Sequence, residues 1–281
     1  MSDYSRQRVM LRVWQILLLV ALLAIWWGVV TVWPRTTMFF GKPLEVLARL
    51  RDWFVIEQLS AHITNGTLSN ALMRNTIYGH LMITLVETVI AFVLGVAAGL
   101  VVGLWLGLSR YASEVLSPFI TAANSMPRVI LAPIFGMWFG LGIWSKVALA
   151  FTLVFFIVFF NVYRGIREVN PVLLNNARML GANRRQLLRS VYLPSATSWV
   201  FSSLHTSVGM AFVGAVVGEY LGSASGVGYL ILQAEGSFDM STVVAGILVL
   251  TACALVLDYL VTFCERHFLK WQPSSGSGSS I

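Results

Sequence analysis

Six apolar runs, roughly 14–33, 80–108, 118–140, 144–163, 195–218 and 241–263, decide which solvent this 281-residue chain folds in. Each run is long enough to cross a hydrocarbon core of about 30 Å as a helix rising about 1.5 Å per residue. A bilayer has no water for unpaired backbone groups, so only helices and closed barrels span it. The runs lack the alternation of barrel strands, so the expected fold class is an all-α membrane protein with six transmembrane helices. Composition agrees, with 57% hydrophobic and 11% charged residues, where a soluble domain carries roughly 25% charged. The net charge of +7 does not indicate nucleic acid, because the cations sit in the gaps between apolar runs. Cys253 and Cys264 lie in one run, eleven residues apart, and are read as packing residues. The first run exceeds a signal-peptide core of roughly 7–15 residues and is read as a retained span.

Lys and Arg set the expected orientation. With residues 1–13 inside, 12 cations fall on the cytoplasmic side and 6 outside (Arg35, Lys42, Arg49, Arg51, Arg74 and Lys146), with Arg128 in neither group. That bias places both termini in the cytoplasm. The outer segment 34–79 predicts a short surface helix starting at Pro43, with Leu44, Leu47, Leu50 and Phe54 at helical spacing, and a second near Thr67–Tyr78. The tail 272–281 is Ser/Gly-rich and reads as a flexible end.

The inner segment 164–194 carries the clearest local grammar. Asn170 and Pro171 open a helix, Gly181 suits its left-handed stop, and a second helix is expected from Asn183 to Tyr192, ending at Leu193-Pro194. Ala177, Gly181, Val191, Leu193 and Pro194 fall at the spacing of the E-A-A-x3-G-x9-I-x-L-P loop, so the chain resembles the permease subunits of ATP-binding-cassette importers. Asn175 and Asn176 stand where that motif has Glu and Ala. Met126-Pro127-Arg128, Ala132-Pro133, Trp138-Phe139-Gly140-Leu141-Gly142, Val217–Gly222 and Gly226–Ile231 are similar to the nitrate/sulfonate/taurine branch. The resemblance covers about residues 15–271. It implies a type I importer permease fold over 14–271, two cytoplasmic ATPase subunits, a second permease chain, most simply a homodimer, and a periplasmic solute-binding protein. It implies location in the bacterial inner membrane. Residues Asn175, Asn176, Ala177, Arg178, Gly181, Ala182, Leu187, Leu193 and Pro194 would form the ATPase-coupling elbow.

The chain is not expected to be an enzyme. None of its three lysines completes a Gly-x4-Gly-Lys-Ser/Thr phosphate loop, so ATP and Mg belong to the partner ATPase and no cofactor, metal or catalytic residue is assigned here. Ser225 and His205 raise the thought of a serine hydrolase, but Ser223 stands where the nucleophile motif wants glycine. A secondary transporter is the alternative, weakened by the lack of a recognisable internal repeat.

Small residues in the second run (Gly95, Gly99, Gly103, Gly107) and the fifth (Ser203, Ser207, Ala211, Ala215, with Gly214 and Gly218) predict close helix contacts. Polar groups inside spans are costly and point to partners or a wet pathway. The pathway candidates are Arg128, Glu87, Asn124, Ser203, His205, Ser207 and Glu219. For Arg128 the alternatives are attraction of an anionic solute, snorkelling to the cytoplasmic interface, or pairing with Glu87.

Overall fold

A computed structural model of the chain describes residues 2–33, 37–54 and 77–268. The expected second surface helix lies almost wholly outside the described residues, as does the Ser/Gly tail. In chain order the helices are α1 (Ser2–Val32), α2 (Thr37–Phe40), α3 (Pro43–Phe54), α4 (Ile77–Leu108), α5 (Arg110–Ser125), α6 (Ala132–Phe139), α7 (Ile143–Arg167), α8 (Pro171–Met179), α9 (Arg184–Leu187), α10 (Leu193–Gly222), α11 (Val227–Gly236) and α12 (Met240–Phe268). Two compact units divide the chain, Met1–Gly79 with Leu230–Val249, and His80–Tyr229 with Leu250–Ile281.

Five helices are long and apolar enough to span: α1, α4, α7, α10 and α12. The run drawn as one segment over 118–140 is different. It starts earlier, at Arg110, and breaks at Met126-Pro127, so that Arg110–Ser125 and Arg128–Phe139 meet at 85°. The physical cause is local: Pro127 disfavours helical backbone at Met126, which is extended, and a 3-10 turn over Arg128–Leu131 leads into α6 at Ala132-Pro133.

In the second unit, α7 is the packing axis. A Cβ added to Gly95, Gly99, Gly103 or Gly107 would lie 2.7 to 2.9 Å from Val154, Val158, Val162 and Ile166 respectively. Both sets step by four residues and rise together, so α4 and α7 run parallel with the α4 glycines seating α7's β-branched ridge. Parallel spans require the chain between them to recross the bilayer, which makes the bent pair α5–α6 one broken span and the total six. On another side of α7, Gly165 meets Trp199 and Gly218 meets Lys146. Here one number falls as the other rises, so α10 is antiparallel. Ser203, Ser207, Ala211 and Ala215 are all buried along α10. Lipid tails are as apolar as leucine, so this stepwise fit, rather than expulsion of water, holds the helices together.

Lys146, counted above among the outer cations, is a correction. It sits one turn inside α7 with 3% of its surface exposed. It lies inside the fourth apolar run, 144–163, 3.7 Å from Glu87, and is a residue of the span rather than a loop cation. Without it the outer cations number 5, and the bias toward the inner side widens.

The second helix of the inner elbow also differs from expectation. It does not end at Leu193-Pro194. Residues Leu188–Tyr192 form a π turn, in which the Leu193 amide donates to the Leu188 carbonyl, and the chain continues directly into α10. Pro194 has no amide to offer Ser190, and its ring would strike that carbonyl in an α-helix. The wider turn accommodates the proline and keeps the elbow covalently stiff with the span that follows it.

The α4–α7 fit yields a direct test. Gly99→Leu is expected to lower the thermal midpoint and yield of the purified protein sharply, because its branches would displace Val158. Gly28→Ala, at a site with nothing within 4 Å, is expected to leave both unchanged, and equal effects from the two substitutions would contradict this packing.

Candidate functional site

Three constellations stand out, beginning with the elbow. The Asn170 side chain accepts from the Val172 amide at 2.8 Å, and Pro171 fills the first helical position of α8. At the far end Gly181 has φ of +80°, the Gly181 amide donates to Arg178 and the Ala182 amide to Ala177. That pair of bonds is the Schellman stop, for which glycine supplies the left-handed backbone. Asn183 then caps α9 through a reciprocal box with Gln186, at 2.8 and 2.9 Å. Two helices thus meet at a corner whose orphan backbone groups are paired. The corner presents Met179 and Leu180, 85% and 87% exposed, with Asn175, Asn176 and Arg178 also exposed. Leu187 is instead buried and holds the corner from within. A shallow cleft of about 290 Å³ runs between Ala177, Gly181, Leu187 and Val191.

The second constellation gathers Glu87, Lys146 and Glu219 from α4, α7 and α10. Glu219 accepts from the Thr84 hydroxyl at 2.6 Å and from the Gly228 amide at 2.6 Å. The Val227 amide donates to the Thr84 hydroxyl at 2.9 Å, and the Gly226 amide to His80 Nδ1 at 3.0 Å. Three side chains therefore satisfy the first amides of α11, at the helix end where an anion is favoured. Gly226, with φ of +107°, and Gly228 are small because Glu219 lies where their Cβ atoms would be. Lys146 donates to the Leu141 carbonyl at 3.1 Å and lies 3.7 Å from Glu87. Glu87 and Glu219 are fully buried, as are Ser203 and Ser207. These four pathway candidates face no open space; the carboxylates belong to a junction that pins the 223–228 link to α4. His80, Thr84 and Lys146 were missed by sequence reasoning. Only the four-residue spacing of His80, Thr84 and Thr88 hinted at a polar stripe on α4.

The third group lies at the break. Arg128 Nη2 donates to Asn124 Oδ1 at 3.2 Å and carbonyl at 3.4 Å, and its guanidinium lies 4.6 Å above the Phe156 ring. Its Nε is buried without a hydrogen-bond partner. Phe156 stands at the middle of α7. Of the structural alternatives, pairing with Glu87 is corrected, because Glu87 lies beside Lys146 instead. His205, a further pathway candidate, bridges α10 to α12, with Nδ1 2.6 Å from Asp258 and Nε2 3.1 Å from Glu265.

The Glu219 junction is testable by a double-mutant cycle on thermal stability. Gly226→Ala is expected to destabilise by ~2 kcal/mol or more, from the clash and the positive φ together. Its cost should shrink in a Glu219→Ala background, because part of the clash is gone. Strict additivity would mean the two do not meet.

Comparison with known proteins fits this geometry. A family profile described as "Binding-protein-dependent transport system inner membrane component" matches residues 92–270. The chain is 34% identical to the riboflavin transport system permease protein RibX of Chloroflexus aurantiacus over 86% of its own length and 92% of RibX. It is 33% identical to the putative aliphatic sulfonates transport permease protein SsuC of Bacillus subtilis, covering 74% of this chain and 75% of SsuC. The taurine transport system permease protein TauC of Escherichia coli is 28% identical over 90% of this chain and 87% of TauC. In fold it is similar to a chain of the inward-facing MetNI methionine ABC transporter, with a TM-score of 0.56 and 20% identity over 67% of this chain and 92% of that one.

Proposed function

This chain belongs to the binding-protein-dependent transport system inner membrane components, and from that premise we propose how it couples ATP to the movement of a solute. It is a transport subunit, not an enzyme, of an importer of that type. In our reading two copies line one pathway, with both termini and the 164–194 elbow in the cytoplasm, and each elbow seats in one of two ATPase subunits. A solute-binding protein delivers cargo from outside, near the 219–240 link and the 34–79 segment. Closure of the ATPases displaces the two elbows as rigid bodies and switches the pathway between inward-open and outward-open. Shifting such an equilibrium from 1:99 to 99:1 needs roughly 5.5 kcal/mol of differential binding.

The observation that carries this reading is the elbow itself. Its helices are capped at both sides of the Gly181 corner, and its exposed crest is apolar at Met179 and Leu180. A fully capped corner with large apolar side chains in water is built to be covered. The π turn through Tyr192 joins it without a break to α10, so a push on the crest reaches the span. The expected solute is a small anion, of the sulfonate or taurine kind that relatives are named for, or another small organic solute. Arg128 supports the anion. It is a guanidinium over the Phe156 ring with one unpaired N–H, next to Asn124 at a helix break, and a cation there is retained at a cost that a negative partner would offset.

Two measurements in proteoliposomes holding the permease with its ATPase test the scheme. Gly181→Asp, which strains the left-handed corner and adds charge to the crest, is expected to lower solute-stimulated ATP hydrolysis by at least roughly tenfold. Unaltered hydrolysis would defeat the elbow as coupler. Arg128→Gln is expected to weaken uptake of an anionic solute and flatten its salt dependence, and unchanged uptake at all salt concentrations would remove Arg128 from the pathway.

A further inference from the structure

Helix α3, within the outer segment near which the delivery protein is proposed to dock, has two unlike faces. One is clasped to the start of α12. Ser241 donates to Glu45 at 3.0 Å, Arg49 pairs with Asp239 at 3.0 Å, and the Lys42 amide donates to the Ser241 hydroxyl at 3.4 Å. Val46, 1% exposed, is buried beside this clasp. Lys42, with Ser241, holds the Glu45 carboxyl below its ordinary range. Burial pushes Asp239 upward, but hydrogen bonds from Thr242 and the Arg49 charge outweigh it and leave Asp239 lowered as well. Both carboxylates are therefore ionised at neutral pH, and the clasp loosens only when pH falls through their lowered range.

The other face is apolar and uncovered. At about 100° per residue, Leu44, Leu47, Arg51 and Phe54 fall within an arc of about 80°. Leu44 and Leu47 are 61% and 62% exposed, and Phe39 and Phe40 just before α3 are also exposed. The clasp fixes depth, because its partners Asp239 and Ser241 flank Met240, the first residue of the α12 span. A helix tied to the first residues of a span lies at the edge of the hydrocarbon. Val32 and Trp33, where α1 leaves its own span, are exposed in the same unit, so a lipid-facing surface leads into this segment.

We infer that α3 is an in-plane anchor whose Leu44, Leu47 and Phe54 face sits in the headgroup and acyl boundary of the bilayer, with Arg51 reaching lipid phosphate. Amphipathic helices of this make-up insert their apolar face by roughly 5–10 Å. The consequence is mechanical. The clasp and the apolar face together tie the start of α12 to the plane of the membrane, so this end of the span holds its depth while other parts of the protein move.

The test uses full-length protein in liposomes, with Cys253→Ala and Cys264→Ala removing the free thiols and a fluorophore placed at Leu44→Cys, Leu47→Cys or, on the polar face, Asp52→Cys. Phosphatidylcholine brominated along its acyl chains is expected to quench the labels at 44 and 47 roughly twofold and the label at 52 hardly at all. A membrane-impermeant thiol reagent, added to both sides, should modify Asp52→Cys at least about tenfold faster than the other two. Equal modification rates at all three positions would mean the face is bathed in water. Protection of 44 and 47 from both probes would mean another protein covers it, and either result overturns the anchor.

Discussion

The register between α4 and α7 is the contact on which the rest of the architecture depends. Four glycines a turn apart meet Val154, Val158, Val162 and Ile166 in step, and a shift of one residue would bring α4 positions that carry side chains against that ridge. Because both helices run the same way, the chain between them must return across the bilayer. The break at Met126-Pro127, local in its cause, falls within that return. The same helix α7 takes the small face of α10 on another side, so one β-branched and phenylalanine-rich span orders two others. In lipid, where apolar surface has no reason to prefer protein over solvent, such geometric fit is the main source of specificity.

At one end of this packed trio sits the only place where the described core accepts charge in quantity. Glu87, Lys146 and Glu219 are buried together; Glu219 and Lys146 are hydrogen-bonded, whereas the Glu87 oxygens have no hydrogen-bond partner. Glu219 is bonded to Thr84 and Gly228, Lys146 to the Leu141 carbonyl, and Glu87 lies beside Lys146. The junction fixes the start of α11, so the link after α10 leaves the bundle at a set angle. Its counterpart at the opposite end is the elbow, where pairing is achieved by local side-chain and backbone caps and the apolar crest is left exposed. The two ends of α10 are therefore built on different principles, a locked junction and an open contact surface.

How much of this could be read from residues depends on the range of the interaction. The elbow was legible because caps are local: Asn170, Pro171, Gly181 and Asn183 act within four residues of themselves. The glycine stripe was legible because helical periodicity is local as well. The break near Arg128 announced itself through Pro127 and Pro133, but its 85° turn did not, since a proline marks a break without fixing its angle. Pro194 was read as a stop because a proline ends an α-helix. That it can be absorbed by a π turn depends on the whole span beyond it. Lys146 was misplaced for the reverse reason, as nothing near it in the chain betrays a carboxylate 59 positions upstream. The Glu219 junction joins residues about 140 positions apart, and no spacing rule connects His80 with Gly226 or Thr84 with Val227.

The glycines of the Gly226-Val227-Gly228 stretch show why such pairs escape a reading by pattern. As a string they resemble a flexible link, and the usual inference from two glycines is mobility. In three dimensions they are small so that a carboxylate can occupy the space beside them, and the stretch is among the most tightly bonded in the bundle, with three consecutive amides each held by a side chain. A glycine thus reports either freedom or crowding, and only the partner tells which. At Gly181 the same residue type serves the opposite need, since nothing lies within 4 Å and the backbone angle alone demands it. In the coupling proposed above, force entering at the elbow would meet a corner held by its caps, and force leaving α10 a junction held by crowding, so α10 would transmit it as one piece.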